Sequence, residues 1–234
     1  MQDGAPTLQA LRRAALACRG CLRPMEGGGE AGLCARCWEG LLPLPGPRCA
    51  RCALIHDFDR ECRDPSAWAR GDALWDYRGG RPALGALLVP GIKAGEGGWR
   101  TALLDRTRTR PLPDWVEGVD AVVPAPTLFL RRLMRGFDLA ADWAGILGQR
   151  SGKPVLRALA KHWRSRAQSG RPESERRRLP RKSILLRSGK TVEGMSLLLA
   201  DDVWTTGATL HRCAQVLLQA GAREVSVLAL FRAT

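Results

Sequence analysis

Residues 197–210 read LLLADDVWTTGATL, and the way this stretch is taken decides the fold. Four apolar residues in a row suit a strand covered on both faces, as in a parallel sheet. The run ends abruptly on Asp201 and Asp202 and passes into Thr205, Thr206, Gly207, Ala208 and Thr209. Backbone N–H groups at a helix start, with hydroxyls beside them, make an anion cradle. Gly207 allows the positive φ or close backbone approach that a phosphate-wrapping turn needs. The two carboxylates cannot serve the same phosphate, and they suit neutral hydroxyls or a cation. A sugar phosphate satisfies both halves.

Working outward, ATLHRCAQVLLQAGA sets Leu210, Ala214, Leu217 and Leu218 on one helical face and stops at Gly221, with Cys213 beside the stripe as a buried thiol. EVSVLALF supplies a further buried strand. Upstream, VDAVVPAP is a short strand closed by prolines, and FDLAADWAGILGQRSG carries a helical face at Phe137, Ala140, Ala144 and Leu147. VLRALA and the ILL of 184–186 read as strands flanking a basic stretch. Strands alternating with helices imply a doubly wound, mostly parallel sheet with its site at the strands' carboxyl ends. A Walker B reading of the paired acids fails. The only GKT, Gly189-Lys190-Thr191, has Ile184 where the first glycine belongs and lies too close to the acids.

Seven of the eight cysteines precede residue 63. Cys18, Cys21, Cys34 and Cys37 form C-x2-C-x12-C-x2-C, two tight knuckles able to converge on one tetrahedral zinc, joined by a glycine-rich turn. Disulfides are disfavoured without an export signal. Cys49, Cys52 and Cys62 begin a second site whose fourth ligand is missing, since Pro65 stands where a further knuckle would put it. His56 and Asp64 are the candidates, and a degenerate, empty site is the alternative. Residues 1–65 thus read as a metal-stapled module in which metal binding and folding are coupled. Residues 66–118 mix glycine and proline turns with short apolar runs and read as a hood or linker. In that segment Leu84–Leu88 suits a helical turn, and Lys93 suits a ligand-facing loop or a surface turn. Residues 119–234 form the α/β domain.

At 234 residues the chain holds one α/β domain and an appendage. No apolar run is long enough to span a bilayer, so no membrane insertion is expected. Arg12 and Arg13 interrupt the amino-terminal apolar stretch, where Leu8, Leu11 and Ala15 share a helical face, which does not fit a signal peptide. A cytoplasmic location is the default. The net charge of +14 and pI near 10.4 point to polyanionic partners. Half of that charge sits in residues 161–182, where nine Lys or Arg face Glu173 and Glu175. This segment reads either as a solvated loop or as an arm that closes over pyrophosphate or nucleic acid. The eight tryptophans are scattered from Trp38 to Trp204 and form no stacking cluster.

LLLADDVWTTGATL resembles the phosphoribosyl-pyrophosphate (PRPP) binding motif of type I phosphoribosyltransferases. VVPAP followed by RRLMRGFDLA resembles a stretch of one branch, the ComF/ComFC family, also seen in GntX-like proteins. The double cysteine module, Tyr77 and Gly79, Lys93, and Lys161, Gln168 and Arg176 of the basic arm extend the likeness over nearly the whole chain. Asp138 and Leu139 stand where the family usually has Asn and Gln, and Leu179 where Asn follows the arm's basic cluster. The resemblance implies a type I phosphoribosyltransferase-like fold with an N-terminal double zinc ribbon. Thr205, Thr206, Gly207, Ala208 and Thr209 would hold the 5′-phosphate, and Asp201 and Asp202 the ribose hydroxyls. Pro124, Ala125 and Pro126 would face the pyrophosphate, helped by Arg131 and Arg135. Mg²⁺ would arrive with PRPP, and the arm from Lys161 would act as a lid. The family's link to natural transformation implies single-stranded DNA and a ComFA-type helicase as partners. Two classes of function follow: a transferase with PRPP and an acceptor, or a DNA- or protein-binding competence factor whose PRPP site is vestigial or regulatory.

Overall fold

The computed structural model describes residues 17–25, 29–56, 62, 66–161 and 183–233. The amino-terminal helical face at Leu8, Leu11 and Ala15, the candidate ligand Asp64, and the arm residues Gln168, Arg176 and Leu179 lie outside them.

A four-stranded sheet, parallel throughout, organises the chain. Its strands are β1 (Arg70–Asp76), β2 (Ala121–Pro124), β5 (Ser196–Trp204) and β6 (Glu224–Arg232), in the order β1-β6-β5-β2. The helices are the short α1 (Ala35–Glu39), α2 (Leu84–Ala94), α3 (Gly97–Thr109), α4 (Phe129–Arg135), α5 (Leu139–Ser151) and α6 (Ala208–Gln219). β3 (Leu159–Lys161) and β4 (Ile184–Leu186) pair antiparallel as a separate hairpin.

The two central strands are apolar on both faces, and alternation sorts their side chains into two cores. Leu198, Ala200, Leu228 and Leu230 pack with Leu88, Ile92, Leu103, Trp143 and Leu147 under α2, α3 and α5. Leu197, Leu199, Val225, Val227 and Ala229 pack with Leu210, Cys213, Ala214 and Leu217 of α6, and with Leu159 and Ile184 of the hairpin. This is the doubly wound, mostly parallel architecture expected from sequence, with β5 central and its carboxyl end carrying Asp201 and Asp202. Within 154–161, residues 159–161 form strand β3, while Leu156 N–H bonds the Val122 carbonyl at 2.8 Å along the edge of β2. Among the described residues no helix is long and apolar enough to cross a membrane.

The opposite edge strand, β1, comes from within the stretch read as a hood. RGDALWD carries a glycine and two acids, which hide its strand character until β6 pairs with it. Residues 42–54 cover the outer side of β1. Gly71 N–H reaches the Ala50 carbonyl at 2.9 Å and Asp76 N–H the Leu42 carbonyl at 3.0 Å, so the edge offers few free donors to a stray strand. Arg48 clasps Asp72 with two bonds of 2.8 Å. At Gly71 a Cβ would lie 2.6 Å from the Arg51 carbonyl oxygen and 2.7 Å from the Trp204 ring. The cysteine-bearing segment therefore seats directly on the sheet.

Gly71→Ala is expected to push this segment off the edge and lower stability by about 1–3 kcal/mol, the usual cost of overpacking. A lowered urea midpoint with unchanged slope would report it.

Candidate functional site

At the carboxyl end of β5 the two acids stand side by side, each held by the next amide. Asp202 N–H bonds Asp201 Oδ1 at 2.9 Å and Val203 N–H bonds Asp202 Oδ1 at 2.8 Å. Lys93, in the last turn of α2, brings Nζ to 2.5 Å from Asp202 Oδ2. Of the sequence's two readings of Lys93, the structure has it at the site. Burial, and then the neighbouring Asp202 charge, push the Asp201 carboxyl up to about 7, although the Asp202 amide, Lys93 and Lys161 pull the other way.

The acids open into a cavity of about 200 Å³. Its wall brings together Asp201, Asp202, Thr209, Ala125, Pro126, Arg131, Arg135 and Lys161, with Lys93 and Asp138, all singled out in the sequence. Arg131 and Arg135 come from α4, and Lys161 from the end of β3. Cations thus face a carboxylate pair across a space of small-ligand size. Thr205, Thr206, Gly207 and Ala208 do not line this cavity; they form the turn immediately beyond the acids. Pro124 lines an adjoining cavity of about 80 Å³ with Ala125, Arg132, Arg157 and Arg187. Asp138 accepts a bond from Thr127 Oγ1 at 3.1 Å, tying the two ends of the α4 segment together.

The turn after β5 has the form of an anion cradle. Gly207 adopts φ of +74°, which a side chain would disfavour, and a Cβ there would sit 2.9 Å from Trp204 Nε1. Its carbonyl accepts the His211 N–H, the first bond of α6. Among the described residues no acceptor meets the amides of Thr205, Thr206 or Gly207. The opposite turn differs: Pro124 and Pro126 have no N–H, and the Ala125 N–H is spent on the Ala200 carbonyl at 2.8 Å. Residues 124–126 therefore offer an anion no main-chain donor.

Sequence reasoning missed Arg232. It lies at the end of β6, only 6% exposed, and its guanidinium meets the carbonyls of Trp204 at 3.0 Å and Thr205 at 2.6 Å. Trp68 was missed as well; it packs edge-on against Trp204 with ring centroids 5.2 Å apart. An arginine near a chain end gives no sequence signal for such a role.

Both cysteine groups could hold a metal ion. Cys18, Cys21, Cys34 and Cys37 bring their sulfurs within 4.8 Å of one another, with Cys18–Cys37 at 3.5 Å and Cys21–Cys34 at 3.8 Å. Zn–S bonds of about 2.3 Å in a tetrahedron place sulfurs about 3.8 Å apart, so the quartet fits zinc. Cys49, Cys52, His56 and Cys62 converge in the same way, and His56 supplies the fourth donor that the cysteine spacing lacked. Burial raises the Cys18 thiol, yet amide donors from Cys34, Cys21 and Gly20 bring it down to about 6. The same opposition brings Cys49 down to about 6, with the Cys52 and Arg51 amides as donors. Amide-stabilised thiolates are the form a metal binds.

No family model matches the chain. Competence protein ComFC of Bacillus subtilis (strain 168) is 37% identical over 112 residues, covering 47% of this chain and 44% of that protein. Competence protein ComFC of Streptococcus pneumoniae (strain ATCC BAA-255 / R6) is 41% identical over 69 residues, covering 29% and 30%. The chain thus spans less than half the length of either curated relative in these matches. Similar solved structures include the glutamine PRPP amidotransferase of B. subtilis, complexed with ADP and GMP, at 22% identity and a TM-score of 0.37. That match covers 56% of this chain and 26% of that one. Another is the purine phosphoribosyltransferase of Pyrococcus horikoshii Ot3, at 14% identity and 0.31, covering 62% and 83%. The likeness to ComFC seen in the sequence is present in the curated relatives.

The raised Asp201 carboxyl costs stability as pH climbs through the interval from the usual carboxylate range to about 7, because the folded form holds its proton more tightly than the unfolded chain. Asp201→Asn removes that cost. Without ligand, the variant's melting temperature is expected to exceed that of the parent chain by more at pH 8 than at pH 5, at about 2–4 °C for each kcal/mol relieved.

Proposed function

We propose that this chain binds PRPP and transfers its phosphoribosyl group, displacing pyrophosphate with an acceptor, as a ComF-like protein acting in DNA uptake in the cytoplasm. The observation that carries the reading is the juxtaposition at the end of β5. Two adjacent carboxylates precede a turn with open amides and face Lys93, Arg131, Arg135 and Lys161. The names of the relatives and neighbours, competence proteins and PRPP-using enzymes, support it.

In this reading the amides of Thr205, Thr206 and Gly207, with the Thr209 hydroxyl, receive the 5′-phosphate. Asp201 and Asp202 accept the ribose 2- and 3-hydroxyls. Lys93 holds Asp202 in place and offsets charge that would otherwise accumulate when both acids ionise. Bond breaking at the anomeric carbon sends the electron pair to the pyrophosphate oxygen, while the acceptor's lone pair forms the new bond to carbon. Arg131, Arg135 and Lys161 stabilise the growing negative charge on the leaving group by positioned electrostatics. Mg²⁺ that comes with PRPP would neutralise pyrophosphate oxygens. The two cysteine sites each hold a structural zinc.

A second reading rests on the charge of residues 161–182. Here the chain is a competence factor that binds single-stranded DNA or a ComFA-type helicase, with PRPP as a regulatory ligand. Exchange of labelled pyrophosphate into PRPP, screened with nucleobases, separates the two. Exchange supports transfer; PRPP binding without exchange under any acceptor supports regulation. Calorimetry that shows no binding of PRPP with Mg²⁺ overturns both accounts of the site.

Arg135→Ala is expected to weaken PRPP by about tenfold or more, since a hydrogen bond to a charged group contributes about 1.5–3 kcal/mol. Unchanged affinity would remove Arg135 from the pyrophosphate side. The purified chain is expected to carry two equivalents of zinc by elemental analysis and to lose cooperative melting in a strong chelator.

A further inference from the structure

We infer that Arg232 is a positioning residue that joins the second metal-type site, Cys49, Cys52, His56 and Cys62, to the phosphate turn, so that occupancy of that site governs affinity for the phosphate end of the substrate. The inference rests on the PRPP reading above. It assigns to one of the two cysteine sites a role that a merely structural staple would not have.

Arg232 spans the two features. Its Nε donates to the Cys52 carbonyl at 3.1 Å, and its Nη1 faces the carbonyls of Trp204, Thr205 and Ala233 at 3.0, 2.6 and 2.6 Å. A buried, planar guanidinium fixes the directions of all its bonds at once, which lysine cannot do. The same cation lies 4.7 Å from the Trp204 ring centroid. Trp204 rests edge-on against Trp68, whose Nε1 donates to the Arg51 carbonyl at 2.8 Å. Arg51 N–H in turn donates to Cys49 Sγ at 3.4 Å. Two independent routes therefore run from the knuckle 49–52 to the residues just before Gly207. A third contact ties the start of α6 to the same region, where the Ala67 N–H donates to His211 Nδ1 at 3.1 Å.

The knuckle holds its carbonyls in place only while its ligands are gathered, because a metal site of this kind couples binding to local folding. Release of Cys49 and Cys52 withdraws two of the acceptors, Arg51 O and Cys52 O, that aim Trp68 and Arg232. The Thr205 carbonyl then loses its fixed partner, and the amides that follow lose their shared direction. The other site has a different dependent. Cys18, Leu33, Cys37 and Trp38 pack against α2 and α3, where the Trp99 Nε1 donates to the Ala31 carbonyl at 2.8 Å. It supports Lys93 and not the turn.

The test uses the full chain with two probes: ribose 5-phosphate, which reads the phosphate turn, and inorganic pyrophosphate with Mg²⁺, which reads the arginine side. Arg232→Lys is expected to keep both zinc equivalents and weaken ribose 5-phosphate by about tenfold, while pyrophosphate affinity stays within twofold. Cys62→Ser is expected to lose one zinc equivalent and show the same selective weakening, by a larger factor than Cys21→Ser. Equal loss of both probes in Arg232→Lys, or ribose 5-phosphate affinity preserved in Cys62→Ser after zinc is gone, would overturn the inference. If Arg232→Lys does not fold, the paired cysteine variants decide. A parent chain that binds neither probe nor PRPP overturns the proposed function instead, so the two failures are distinct.

Discussion

Two like charges placed on adjacent residues at the end of a central strand are the constraint around which this molecule is arranged. Asp201 and Asp202 sit where desolvation and mutual repulsion both oppose ionisation, and Asp201 is held near neutrality as a result. The surroundings answer locally. Amides from the following residues cap both carboxylates, and Lys93 reaches in from a helix more than a hundred positions upstream. A site of this kind is poor for stability and good for a ligand that brings hydroxyl donors. Such strain between fold and function is what a binding site built in advance looks like.

The cysteine module reads differently once its contacts are traced. It is not an appendage hung from the α/β domain. One knuckle pair abuts α2, which carries Lys93, and α3, with Arg19 paired to Glu96 and Arg106 stacked 3.8 Å over Trp38. The other lies along the outer edge of the sheet and under the turn after β5. One group of ligands therefore buttresses the Lys93 side of the cavity, and the other the turn just beyond the paired acids. A chain with small helices and a four-stranded sheet gains from that arrangement rigidity that apolar burial alone would supply less locally.

How much of this the sequence disclosed depended on whether the signal was local. The run Leu197–Ala200 ending in paired acids, and the spacing Cys18 to Cys37, are contiguous patterns, and each led to the right element. The fourth ligand of the second site stayed open between His56 and Asp64 because spacing alone does not fix which donor turns inward. β1 escaped because an edge strand needs apolar residues on part of its length only, and Gly71 and Asp72 broke the pattern. Arg232 was beyond reach, since its partner Cys52 lies 180 positions away and no motif links them. Lys93 was noticed, yet only the fold could bring α2 to the end of β5.

The prolines flanking Ala125 have a last consequence. With no free amide at residues 124–126, the cavity presents the flexible arms of arginine and lysine on that side, whereas the open amides of Thr205, Thr206 and Gly207 lie just beyond it as rigid main-chain donors. The two sides of the paired acids are therefore unequal in stiffness. A molecule that reached from the cavity to that turn would be gripped at one end by a fixed mould and at the other by movable tethers that water and dissolved ions can loosen. Were it to part in the middle, the tethered fragment would drift out first.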